Sequence, residues 1–304
     1  MVGCVGWVTM MREPHQYSPT RSNMAEPEIR AGQSIELLKA LHILTRDGKM
    51  NQDSRRKLKQ VYHLFQFIEP LLQQLHETQQ AFSLVDHGAG KSYLGFILYD
   101  LFFKHYDNGA IIHGIEVRSE LVERAQALAQ QLDFARMRFH CLSVNDAIAS
   151  PALPAQVEIV TALHACDTAT DDAISFALKK RARFIVLVPC CQAEVAAQLR
   201  KQKGQMLGRE AFSELWRHPI HTREFGSHLT NVLRCLQLEA HGYQLNVTEL
   251  VGWEHSMKNE LIIATHKQLP GQRAARRLMQ VLAETGLNDL RERFWLPPAL
   301  AAKF

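Results

Sequence analysis

The sequence predicts an α/β protein built on a doubly wound parallel sheet. Three observations carry that prediction. Apolar runs of strand length alternate with helical stretches five times in succession, as strands buried on both faces require. The first run ends in a carboxylate and two glycines, Asp86-His87-Gly88-Ala89-Gly90, directly ahead of an amphipathic helix. The series then closes with two adjoining strands, where a dehydrogenase would continue with another strand–helix unit.

The elements follow in order. Residues 1–32 are rich in Pro, Ser and Glu and read as a disordered tail. Met1–Met11 is apolar but has neither the leading charge nor the length of a signal peptide. Translation could equally begin at Met10, Met11 or Met24, and everything before Gln33 reads as dispensable. Residues 33–80 form an N-terminal helical region, with helices Ser34–Leu44 and Ser54–Gln79, a break at Asp47-Gly48 and a kink expected at Pro70. The sheet occupies 81–268. After the strand through Asp86 comes helix Lys91–His105, with Tyr93, Leu94, Ile97, Leu98, Leu101 and Phe102 on one stripe. Strand Ala110–Glu116, helix Arg118–Gln131, strand Arg138–Leu142 and strand Val157–His164 follow. A helix from about Asp171, strand Arg183–Val188 and helix Ala193–Lys201 complete the parallel series. Helix Ser227–His241 starts on a capping serine and stops before Gly242. Strands Tyr243–Val251 and Asn259–His266 close the sheet, joined by residues 252–258. Residues 269–304 hold a last helix, Gln272–Ala283, and a tail with Trp295.

The glycine loop points to a nucleotide-like cofactor. Gly88 and Gly90 remove the Cβ atoms that would block close approach, and the following helix aims free N–H groups at a ligand. A phosphate-binding P-loop would need its first glycine at Val85, inside the strand, so Gly90-Lys91-Ser92 is not one. The dinucleotide fingerprint fails too, because Tyr93 stands at its last glycine. What remains, Asp86-x-Gly88-x-Gly90-x-Ser92, resembles motif I of class I S-adenosylmethionine (SAM) methyltransferases, which often replace the third glycine. The closing pair of strands is also similar to theirs. The resemblance implies a Rossmann-like seven-stranded class I methyltransferase sheet carrying the N-terminal helical region as an appendage. It implies SAM as cofactor, held by Asp86, Gly88 and Gly90, by Glu116 at the tip of the second strand, where such folds hold a ribose, and by Asn145 and Asp146 after the third. Asp146 would meet the adenine amino group, or cap the short segment that follows it.

Two further loops are distinctive. Leu163-His164-Ala165-Cys166-Asp167-Thr168-Ala169-Thr170-Asp171 follows the fourth strand, and Val188-Pro189-Cys190-Cys191-Gln192 follows the fifth. With motif I they resemble the domain shared by a methyltransferase-like family and the glutathione-S-transferase-C-terminal-domain-containing proteins. The likeness covers about residues 55–265 and extends distantly to tRNA 2′-O-methyltransferases that act on the acceptor stem. Those carry glycine and histidine where this chain has Asp167 and Gln192. An RNA substrate, plausibly tRNA, is what this resemblance implies.

On the residues themselves, Asp167, Cys190 and His164 are the catalytic candidates, and Cys166, Asp171, Cys191, Lys258 and Asn259 the substrate-binding ones. Asp171 could instead cap the next helix, as could Thr170; Asp167 lies earlier, on the open loop, and is read as unable to cap it. His164 could deprotonate a nucleophile near neutral pH or be a hydrogen-bonded core histidine. Cys190 and Cys191 point to opposite sides of the chain, so at most one faces the site. Cys166 and Cys190 would converge like the cysteine pair of RNA 5-methylcytosine enzymes. That covalent scheme needs an activated thiolate and ranks below direct transfer, which needs mainly in-line positioning.

Composition bounds the rest. The chain of 304 residues is 46% hydrophobic and 22% charged, an ordinary globular balance, with no apolar stretch of membrane-spanning length. Its six cysteines form no Cys-x-x-Cys pair, so no metal is expected and a reducing cytoplasm fits. Residues 81–199 carry a net −3, while 1–80 and 200–304 carry +2 and +5. Arg55, Arg56, Lys57 and Lys59 crowd one helix start, either a solvated face or a phosphate-contacting surface. Three function classes follow: a SAM-dependent methyltransferase acting on RNA, the same enzyme acting on a small molecule or protein, and a non-catalytic SAM-binding module. The intact set Asp86, Gly88, Gly90 and Glu116 argues against the last.

Overall fold

A computed structural model describes residues 29–79, 81–106, 109–163, 165–189, 192–202, 217–250 and 260–304. Apart from residues 29–32, the expected tail 1–32 lies outside the described residues. Residues 33–304 form one compact unit. Seven strands run through it: β1 Ser83–His87, β2 Ile111–Glu116, β3 Met137–Cys141, β4 Ile159–Leu163, β5 Phe184–Val188, β6 Tyr243–Glu249 and β7 Glu260–His266. Their order across the sheet is β3-β2-β1-β4-β5-β7-β6, with β1 to β5 parallel and β7 antiparallel to both neighbours. This is the expected α/β architecture, closing hairpin included.

Burial explains which strands read most clearly. All five residues of β5 are buried, and β1, β2 and β4 have a single half-buried residue each. The outer strands β3 and β6 alternate with exposed positions. The helices are α1 Ile35–Ala40, α2 Gln52–Thr78, α3 Tyr93–Leu101, α4 Ser119–Gln131, α5 Val144–Ala149, α6 Thr168–Lys179, α7 Glu194–Gln202, α8 Pro219–Ala240, α9 Gln272–Glu284 and α10 Pro298–Ala301. One core joins β1, β4, β5 and β7 to α5 and α6 through Val85, Val160, Leu187, Ile262, Ile174 and Phe176. A second joins α7, α8 and α9 to the C-terminal tail through Leu199, Leu233, Leu278, Leu282 and Phe294. The helical region at the N-terminus is tied to α3. The Ser34 amide donates to both Asp100 carboxylate oxygens, at 3.2 and 3.0 Å, and the Tyr93 hydroxyl donates to the Leu41 carbonyl. Helix α2 continues through Pro70 over 27 residues.

Three helix starts differ from the sequence reading. α3 begins at Tyr93, because Lys91 and Ser92 belong to the turn, and it ends at Leu101 ahead of a 3₁₀ turn at Phe103–His105. α6 begins at Thr168, so Asp171 is inside the helix and does not cap it. α8 begins at Pro219, whose missing N–H suits a first turn. Ser227 is therefore no cap; it is buried mid-helix and its hydroxyl donates to the Gln192 side chain at 2.5 Å.

The reason Asp171 lies inward is Arg234 of α8. Its side chain is fully buried and spans several elements. Nε and Nη2 donate to Asp171 at 2.8 and 2.7 Å, Nη2 donates to the Asp167 carbonyl at 2.8 Å, and Nη1 to the Asn231 side chain at 3.2 Å. Removing one member of such a pair leaves a buried uncompensated charge, which costs about 3–5 kcal/mol. Arg234→Met is accordingly expected to lower unfolding free energy in urea by about that much. A loss under about 1 kcal/mol would mean that the pair is solvated.

Candidate active site

The site lies along the carboxyl edge of β1, β2, β4 and β5. The chain leaves β1 through Gly88 at φ 66° and Gly90 at φ 58°, the left-handed conformations that favour glycine. The loop is pinned to the next strand, with the Ala89 amide donating to the Ile115 carbonyl at 2.9 Å. A Cβ on Gly88 would lie 3.7 Å from that of Ala165, so the loop abuts the exit of β4. Ser92 stands where motif I ordinarily has its third glycine, and it too is left-handed, at φ 52°.

Two carboxylates grip this loop. Asp86 is 2% exposed and accepts from the Thr161 hydroxyl of β4 at 2.9 Å and from the Gly95 amide in the first turn of α3. Burial pushes its pKa up to about 7, against the pull of those two hydrogen bonds. Asp86 thus supplies from β1 the capping contact that Ser92 does not make. Glu116, 7% exposed, accepts from the Gly90 amide at 2.8 Å, from the Val117 and Arg118 amides, and from the Arg118 guanidinium through Nε at 3.0 Å and Nη2 at 3.1 Å. Burial works to raise its pKa, but the Arg118 and Gly90 donors outweigh it and hold the carboxyl below its ordinary value. Between the acids, His87 is 6% exposed, and neither ring nitrogen has a hydrogen-bond partner among the described residues. Its ring lies 5.6 Å from that of Phe176, and burial lowers its pKa to about 4 although Glu116 opposes the shift. A carboxylate at the tip of β2, two bare glycines and an orphaned buried imidazole form a cradle that fits a nucleoside-bearing cofactor.

Asn145 and Asp146 are exposed at the start of α5, on the same edge. The cap of α5 is Ser143, whose hydroxyl donates to Asp146 at 2.6 Å while accepting from the Asp146 amide at 3.3 Å. Asp146 is therefore the third residue of the helix and shares a reciprocal capping bond.

In the loop after β4, Cys166 is exposed and Asp167 half-buried. Asp167 has φ 50° and stands directly before α6; its side chain makes no bond to that helix. Its Oδ1 accepts instead from the Ala193 and Glu194 amides at 2.8 and 3.1 Å, so it caps α7. The sequence reading that Asp167 does not cap the next helix agrees with this; the helix it caps is α7. Asp171 is corrected: buried and paired with Arg234, its carboxylate faces the interior and not a substrate. His164, Cys190, Cys191, Lys258 and Asn259 lie outside the described residues, and with them the expected approach of Cys166 to Cys190. Beside these loops a cleft of about 340 Å³ opens between Pro189, His228, Thr248, Glu224, Glu249 and Glu260. Its floor is braced by Asn231, which donates to Glu260 at 2.7 Å and accepts from Gln192 at 3.2 Å.

Sequence reasoning missed Thr161, Arg118, His87 and Arg234. Arg118 and His87 adjoin residues already singled out and were legible by position. Thr161 and Arg234 meet their partners across 75 and 63 residues, with no local signal. Among the described residues no group of three His, Cys, Asp or Glu side chains is placed to hold a metal, and no helix is long and apolar enough to cross a membrane.

The Asp86 geometry has a pH consequence. Its pKa is near 3.8 ordinarily and about 7 in the fold, so the stability it contributes is complete below pH 3.8 and is lost as pH rises through 7. Asp86→Asn keeps an acceptor and cannot ionise. It is expected to gain on the wild type between pH 4 and 7, by up to about 4 kcal/mol in urea unfolding. Parallel stability curves would show Asp86 to be solvated.

Residues 56–198 match the family model of a methyltransferase domain, Methyltransf_32. No curated protein matches the chain. Among solved structures it is similar to magnesium protoporphyrin IX methyltransferase from Synechocystis PCC 6803 with bound SAH, at 15% identity and TM-score 0.42, over 76% of this chain and 93% of that one. It is also similar to TrmK of M. capricolum in complex with S-adenosyl-homocysteine, the natural cofactor product, at 8% identity and TM-score 0.37, over 74% and 93%. An rRNA methylase from Streptococcus thermophilus matches at 8% identity and TM-score 0.38, over 62% and 88%. At these scores none of the three bears on the substrate. The domain match falls on the glycine loop, both gripping carboxylates and the exits of β4 and β5, and the protein is a methyltransferase.

Proposed function

We propose that the acceptor is RNA, plausibly a tRNA, and that the cofactor is held by the residues gathered around the glycine loop. In this reading the Gly88–Gly90 backbone and the α3 N-terminus face the amino-acid end of SAM, Glu116 accepts from the ribose hydroxyls, and Asn145 and Asp146 meet the adenine. When bound, SAM supplies an electrophilic methyl group. The chain's contribution is then to align the acceptor atom with it, which needs close positioning rather than a strong base. Cys166 and Asp167 face the acceptor from the β4 loop, with His164 and Cys190 as candidates beside them. Asp167 has a positioning part through its cap on α7. Exposed Cys141 and Cys166 suit a reducing compartment, in keeping with a cytoplasmic enzyme.

The observation that carries the RNA reading is the partition of charge. The cofactor-bearing span is acidic, while the flanking segments are basic. Arg55 and Lys57 are exposed at the start of α2, as are Arg273, Arg276 and Arg277 along α9. Such surfaces take phosphates without reading sequence. One observation favours a second reading: three glutamates border the cleft beside β5, which suits a cationic group on a small molecule or protein.

Three measurements test these readings. SAH and SAM are expected to raise the melting temperature, and NADH and ATP are not; Glu116→Ala should abolish the shift while leaving the ligand-free protein folded. Incubated with tritiated SAM and the total RNA and protein of a cell, the enzyme should label RNA. Replacing Arg55, Arg56 and Lys57 together by Gln should lower the salt slope of RNA binding by up to about 2–3. Label confined to protein or to small molecules would transfer the proposal to the second reading.

A further inference from the structure

The Glu116 carboxylate is already saturated. Oε1 accepts from the Val117 amide at 3.0 Å, the Arg118 amide at 3.2 Å and Arg118 Nε at 3.0 Å. Oε2 accepts from the Gly90 amide at 2.8 Å and Arg118 Nη2 at 3.1 Å. A carboxylate offers about four lone-pair positions, so five donors leave none for the two hydroxyls of a ribose. Three of the five are backbone amides that cannot leave without unmaking the loop or the start of α4. The other two belong to one guanidinium, whose side chain is 58% exposed. Arg118 Nη2 also lies 3.9 Å from where a Cβ on Gly90 would be, so the guanidinium sits against the bare glycine.

We propose that Arg118 is a resident competitor for the ribose hydroxyls of SAM and SAH: its guanidinium holds Glu116 and shields Gly90 until the nucleoside displaces it. The inference rests on the reading of Glu116 as the ribose acceptor. The geometry favours displacement over joint binding, because the two-pronged pair takes up both carboxylate oxygens. The exposed arginine loses little on leaving, since ion pairs formed by a solvent-exposed guanidinium are weak. Glu120, two residues on and exposed, also attracts the Arg118 charge and gives the released guanidinium a second partner. Arg118 thereby acts as a positioning residue: it keeps Glu116 charged and the Gly90 turn closed without cofactor, at the expense of affinity.

The test is calorimetric titration of the full-length protein with SAH, which carries no net charge, so that salt acts on the protein's own ion pair. Arg118→Ala is expected to bind SAH about two- to fivefold more tightly than the wild type. Raising NaCl from 50 to 500 mM should strengthen wild-type binding towards that of Arg118→Ala and leave the variant nearly unchanged. Arg118→Lys, which keeps the charge and loses the two-pronged bond, should fall between them. Weaker binding by a folded Arg118→Ala, or equal binding with the same salt response, overturns the inference and leaves the SAM reading standing. Failure of both proteins to bind SAH overturns the ribose assignment itself and the inference with it.

Discussion

The structure depends on a glycine loop held from two sides by buried carboxylates. Asp86 reaches the amide of Gly95 and the hydroxyl of Thr161; Glu116 reaches the amide of Gly90. Between them they join β1 to β4, β1 to α3 and β2 to the loop. The left-handed turns at Gly88 and Gly90 cannot be fixed by side chains of their own, since those residues have none. Rigidity must come from outside, and charge-assisted hydrogen bonds to backbone amides are the strong way to supply it. Burial gives Asp86 a raised pKa, whereas Glu116, with five donors, stays below its ordinary value. Two acids in adjoining strands thus play different parts. One braces the loop from within the fold, and the other stands at its rim with an exposed partner.

The loop after β4 is held on another plan. There the anchor is a cation, Arg234, which reaches from α8 to the carboxylate of Asp171 and the carbonyl of Asp167. Asp167 in turn caps α7, and Asn231 links Arg234 to Gln192 and Glu260. One buried guanidinium therefore couples the loop after β4, the start of α7 and the beginning of β7. A buried charge network of this kind adds little net stability over an apolar core, but each member is costly to remove singly. It fixes the loop after β4 relative to α7, α8 and β7.

The sheet was legible in the sequence because β1, β2, β4 and β5 are buried on both faces and read as short, mainly apolar runs. The hairpin was legible from the Gly242 stop and the two strands after it. The cofactor edge was legible where a motif is local: Asp86, Gly88 and Gly90 lie within five residues, and Glu116 ends its strand. Helix starts were not, because their cues are ambiguous between local and distant partners. Ser227 looks like a cap and is a mid-helix hydroxyl bound to Gln192. Asp171 looks like a cap and is the counterion of Arg234. Asp167 looks like an open-loop acid and caps a helix that begins 27 residues later. Ser227 and Asp171 were read correctly as needing a hydrogen-bond partner, and in all three cases the partner came from a part of the chain that periodicity cannot see.

Ser92 shows what the loop requires by departing from it. A serine at φ 52° bears a strain that glycine would not, of order 1 kcal/mol or more, and its hydroxyl is fully buried without a partner among the described residues. Neither feature helps the fold locally. The compensation is steric: a Cβ on Gly95 would come within 2.7 Å of the Ser92 Oγ, so the serine fills the space that Gly95 leaves open. The bare backbone of Gly95 in turn is what the Asp86 carboxylate grips. The third glycine of the motif has in effect been moved three residues into the helix, and the contact that holds the loop survives because the acid bonds to an amide rather than to any side chain.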